Sequence, residues 1–121
     1  MEVPAGTEVV VFGRDGRWLA AASSEATWIW DTRSGSLRTI RRHRGLVSAV
    51  LAFSADGRWL AASGFGTTHI WDAHSGEPVR ALNHGIFGVG AVAFSADGLW
   101  LATATSGEGV VVWDLIAPSR Q

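Results

Sequence analysis

The 121-residue sequence contains no cysteine, which excludes disulfides and thiolate metal sites. It contains no lysine either, and all ten basic side chains are arginine. Charge is scarce as well: 17% of the residues are charged and the net charge is −1. A balance so near zero gives no global attraction to nucleic acid or to an anionic membrane surface. No apolar run approaches the roughly 20 residues of a membrane-spanning helix. The opening Met1-Glu2-Val3-Pro4-Ala5-Gly6 has neither the basic start nor the apolar core of a secretion signal, so the expected location is cytoplasmic. No segment keeps a helical apolar period, and essentially no helix is expected. What is abundant is apolar residues, 47% of the chain, enough for one packed soluble domain.

Those apolar residues recur in a fixed pattern. Phe12, Asp15, Gly16, Trp18, Leu19 and Ala20 return as Phe53, Asp56, Gly57, Trp59, Leu60 and Ala61. They return again as Phe94, Asp97, Gly98, Trp100, Leu101 and Ala102, each time after 41 residues. A second marker keeps step: Trp30-Asp31, Trp71-Asp72 and Trp113-Asp114, at intervals of 41 and 42. Six of the seven tryptophans belong to the repeat, and only Trp28 stands outside it.

Each repeat reads as a set of strands. A short apolar run (Val9 to Phe12, Val50 to Phe53, Val89 to Phe94) precedes Asp-Gly. Asp-Gly is a hairpin turn, because glycine tolerates positive φ and aspartate bonds its own backbone. A second run begins at Trp18, Trp59 or Trp100. A third ends on the Trp-Asp pair. Asp31 to Gly35 and Asp72 to Gly76 form further turns, followed by strands over Leu37 to Ile40 and Pro78 to Leu82. Apolar residues occupy consecutive positions, as in strands covered on both faces.

With a period near 40 residues closing on Trp-Asp, the sequence resembles the WD-repeat β-propeller family. The resemblance covers nearly the whole chain, as in Phe53-Ser54-Ala55-Asp56-Gly57 leading to Trp71-Asp72. It implies an all-β fold of four-stranded antiparallel propeller blades, three in this chain, over about 7–42, 46–84 and 88–121. The last blade is expected to lack its outer strand, since a strand placed about ten residues after Trp113 falls beyond Gln121. The family also carries a buried network of a histidine, a hydroxyl, an aspartate and the tryptophan in each blade. His43 and His84 match the histidine position, and Ser23, Ser63 or Thr105 the hydroxyl, but the aspartate is missing from all three repeats.

Propellers close with about four to eight blades. Three blades leave two apolar faces bare, so the expected first partner is another copy of the chain. A homodimer or homotrimer, joined head to tail, would form a ring of six or nine blades. The alternative is a piece of a longer WD-repeat protein, or one made to study propeller assembly.

The resemblance implies a scaffold for proteins or peptides with no catalysis of its own. Arg14, Arg58, Leu99, Arg33 and His74 lie in turns and are candidate contacts, although solvated turn residues carry the same types. Arg38, Arg41, Arg42, His43 and Arg44 form a basic cluster, with no carboxylate between Asp31 and Asp56. It suits an anionic partner, or equally a charged edge that discourages strand-to-strand aggregation. Nucleic acid is not the expected partner. A propeller hydrolase is the competing class. Against it, no histidine pair has metal-ligand spacing, and neither a Gly-x-Ser-x-Gly elbow nor a phosphate loop occurs. No catalytic residue, metal or cofactor is therefore assigned.

Overall fold

The computed structural model describes residues 6–13, 15–23, 26–42, 50–63 and 65–115. These hold ten strands and no helix. The first repeat folds as a four-stranded sheet of β1 (Val9–Phe12), β2 (Trp18–Ala22), β3 (Ala26–Asp31) and β4 (Ser36–Arg42), in that order and antiparallel throughout. The other two repeats contribute β5 (Val50–Phe53), β6 (Trp59–Ser63), β7 (Phe65–Asp72), β8 (Pro78–Phe94), β9 (Trp100–Thr105) and β10 (Gly109–Asp114).

The turns explain the spacing. Asp15, Asp56 and Asp97 each accept a hydrogen bond, at 3.0 Å, from the amide two residues on. The next residue is Gly16, Gly57 or Gly98, at φ of 76–77°, a conformation that side chains other than glycine rarely adopt. Ser54 and Ser95 brace their turns by donating to the aspartate at 2.7 and 2.6 Å, and they accept from the Trp59 and Trp100 amides. In the Trp-Asp pairs, Asp31 accepts from the Arg33 amide at 2.9 Å, and Asp72 from the amides of His74 and Ser75. The two kinds of turn are tied together, because the amides of Thr32, Ala73 and Leu115 donate to the carbonyls of Arg17, Arg58 and Leu99. Both therefore lie at the same end of each blade.

One feature differs from the sequence-based expectation. The last two repeats are not separate sheets but one, ordered β10-β9-β8-β7-β6-β5. The strands expected at Pro78 and Val89 are a single strand of 17 residues. Residues 78–83 pair with β7 as the outer strand of the second blade, and residues 89–94 pair with β9 as the inner strand of the third. Strand β7 starts as early as Phe65, which pairs with Gly88. That extension lets β8 run on without a gap. Gly66 permits it: a Cβ there would stand 2.9 Å from the Gly85 carbonyl, at φ +90. Among the described residues the third blade has three strands, with β10 outermost.

Two apolar clusters bind the blades. Trp18, Ala20 and Ile29 of the first pack on Leu60, Ala62, Trp71 and Ala73 of the second. Ala61, Ile70 and Leu82 of the second pack on Leu101 and Trp113 of the third. Each fully buried Leu or Ile contributes about 1.5–3 kcal/mol.

Candidate interaction faces

Strand register sorts every blade into two faces. One looks to the preceding blade and carries the Trp of Trp-Asp; the other looks to the following blade. In the second blade, Phe53, Leu60 and Trp71 are cross-strand partners on the preceding side, and Ala52, Ala61 and Ile70 on the following side. The same positions recur as Phe94, Leu101 and Trp113, and as Ala93, Ala102 and Val112.

Equivalent positions differ sharply in exposure. Ile29 and Ile70 are 1% and 2% exposed, whereas Val112, in the same place on the third blade, is 60% exposed. Thr27 and Thr68 are buried, and Val110 is 68% exposed. Trp18 is 6% exposed, Trp59 half-buried and Trp100 43% exposed. The following-side face of the third blade is therefore an open apolar surface of Trp100, Val110, Val112 and the alanines between them. At the other end of the arc, Phe12 is 61% exposed while Phe53 and Phe94 are half-buried. Val10 is open in the same way. The middle of that face is closed, since Leu19, Ala21 and Trp30 are buried with Trp28 packed against them. Trp28 stacks on Trp30 at a centroid distance of 6.5 Å. In the second blade His69 takes Trp28's place, lying parallel to Trp71 at 5.8 Å.

A polar network sits between the second and third blades. His84, buried, meets the edge of Trp113 at 5.3 Å. Its Nε2 lies 2.9 Å from Thr68 Oγ1, and Thr68 is 2.6 Å from Ser63 Oγ. Trp113 Nε1 donates to Thr103 Oγ1 at 3.1 Å. Thr68 and Thr103 were not singled out from the sequence. Thr105, which was, instead braces the β9–β10 turn by accepting from the Glu108 amide. Two residues along a strand keep the same face, so only distance from the Trp113 ring separates Thr103 from Thr105. His84 Nδ1 has no partner among the described residues, consistent with the missing aspartate.

Burial lowers the pKa of His84, opposed by the charge of Glu108. The folded state thus favours neutral imidazole. Its contribution is complete above the ordinary value of 6.5 and is lost as the pH falls below it. The melting temperature is expected to drop between pH 7 and pH 5, and His84→Gln, which keeps a donor near Thr68, should flatten that part of the curve. An unchanged slope in the variant would assign the loss to other histidines. The carboxylates act in a lower window. Hydrogen bonds from the Arg58 amide and the Ser54 hydroxyl hold Asp56 below 3.8, as the Ser95 hydroxyl and Leu99 amide hold Asp97. Asp31 and Asp72 are pushed up by burial, but their turn amides outweigh it, helped at Asp31 by Arg17 at 3.4 Å.

The basic cluster begins on the outer strand of the first blade. Arg41 and Arg42 pair through their backbones with Thr27 and Ala26 in β4, which also includes Arg38. His43 and Arg44 lie outside the described residues, as does Arg14. Arg33, Arg58, His74 and Leu99 are exposed in their turns. Among the described residues no group of three His, Asp or Glu is placed to hold a metal ion. The sequence model of the family described as "WD domain, G-beta repeat" matches residues 34–72 and 76–114. Each match runs from the turn just before an outer strand to the next Trp-Asp, so the family's sequence unit is offset from the blade. No curated protein matches the chain.

Proposed function

The chain belongs to the WD-repeat family, and from that premise we propose that it is a non-enzymatic protein-interaction scaffold that completes its propeller with further copies of itself. WD repeats make an interaction scaffold; the additional step is the choice of first partner. One observation carries it. The open face of the third blade repeats the positions that the first and second blades bury, and the open inner strand of the first blade repeats positions that the second and third half-bury. The molecule uses one kind of blade-to-blade interface twice and leaves both halves of a third exposed. A second copy supplies the missing half at each end. Two or three copies, joined by this heterologous contact, form a closed ring.

Sedimentation or native mass spectrometry at micromolar concentration tests the reading. The expected species is two or three times the 12.8 kDa chain. A stable single copy at that concentration overturns it.

A further inference from the structure

Resting on that reading, we infer that the seam between copies keeps the register of the internal interfaces and is locked by Arg33 of one copy against Trp100 of the other. The internal seats define the register. Trp18 is met by the edge of His74 at 5.3 Å, packs with Ala73, and has Gly57 beside its ring at 3.8 Å from the glycine's would-be Cβ. These residues come from the two turns of the following blade. Trp59 stands at the equivalent place, lining one cleft together with Gly98 and Leu115. One step further along the repeat, Trp100 faces the turns that begin another copy's first blade. There Gly16, Thr32 and Arg33 occupy the positions of Gly57, Ala73 and His74.

Charge decides that this arrangement fits a second copy. Arg17 lies over Trp18 at 4.8 Å, and Arg58 over Trp59 at 4.5 Å. The same position beside Trp100 is Leu99. At the first junction His74 of the following blade's turn meets Trp18, and at the seam the same position of the repeat is Arg33. Trp18 and Trp59 thus each lie under a guanidinium from the turn before their own strand, and at the seam the guanidinium comes from the other copy. An arginine at both places would set like charges around one ring. Arg33 is exposed, and its amide is already held by Asp31 at 2.9 Å, so the turn that presents it is built before contact. A guanidinium over a desolvated tryptophan is strongly held.

Sedimentation equilibrium on four variants tests this. Arg33→Ala is expected to weaken self-association about tenfold. Leu99→Arg is expected to weaken it at least as much, through repulsion from Arg33. The double variant Leu99→Arg/Arg33→His recreates the pairing at Trp18 and should recover most of the wild-type association. Circular dichroism serves as the folding check, and Arg33 and Leu99 both lie in exposed turns. If Trp100→Ala weakens association while Arg33→Ala leaves it within about twofold, the register is overturned and self-assembly stands. If the double variant is no better than Leu99→Arg alone, the charge argument fails. A wild-type chain that stays single overturns both this inference and the reading it rests on.

Discussion

Phe12→Asp and Val112→Asp are each expected to leave the chain as a single copy in solution, and an equimolar mixture of the two to regain a two-copy species. The first removes only the preceding-side face of the first blade, and the second only the following-side face of the third. A head-to-tail seam needs one of each, so either variant alone has no complete seam. The mixture has one, between the intact first blade of Val112→Asp and the intact third blade of Phe12→Asp. Both sites are about 60% exposed within one copy, so the substitutions leave the fold in place. A carboxylate pressed unpaired into an apolar seam costs several kcal/mol, enough to abolish association at micromolar concentration. Size-exclusion chromatography with light scattering reads the outcome. A self-complementary contact, each face meeting its own kind, would leave one of the two variants assembled, and that result would rule out a ring.

Leu60→Ala is expected to cost about 2–5 kcal/mol of folding stability. Leu60 is fully buried where the first blade meets the second, among Trp18, Ile29 and Trp71. Truncation there loses the transfer energy of the removed carbons and leaves a cavity that rigid sheets collapse around poorly. Against a typical total of about 5–15 kcal/mol, the urea midpoint should fall substantially. Val112→Ala is the informative contrast. It lies at the position of buried Ile70 but is open in one copy. It should be nearly neutral at dilution and destabilising once copies associate, so its cost should rise with protein concentration.

Much of the fold was legible in the sequence because its signals are local. An aspartate that bonds the amide two residues on and a glycine at positive φ make a turn wherever they occur, as at Asp56-Gly57. Three such turns in step with three Trp-Asp pairs order the strands. The joining of two blades through β8 was not legible. Asn83, Gly85 and Gly88 read as a loop, and only the pairing of Gly88 with Phe65 carries the strand through. The hydroxyl partner of Trp113 was missed for a related reason, since Thr103 and Thr105 have the same residue type and the same strand phase, and only the reach of the indole selects Thr103.

The candidate faces lie beyond sequence altogether. Trp18, Trp59 and Trp100 occupy one position of the repeat, follow the same Asp-Gly turn and open the same strand. The sequence by itself determined that three blades of one repeat form, because turn chemistry and strand alternation act over a few residues. Only the tertiary structure decided that Trp18 is covered and Trp100 is open, because burial depends on what stands opposite a side chain in space. Opposite Trp18 stands the second blade, and Trp100 is where the molecule presents the half of an interface that it has already built twice.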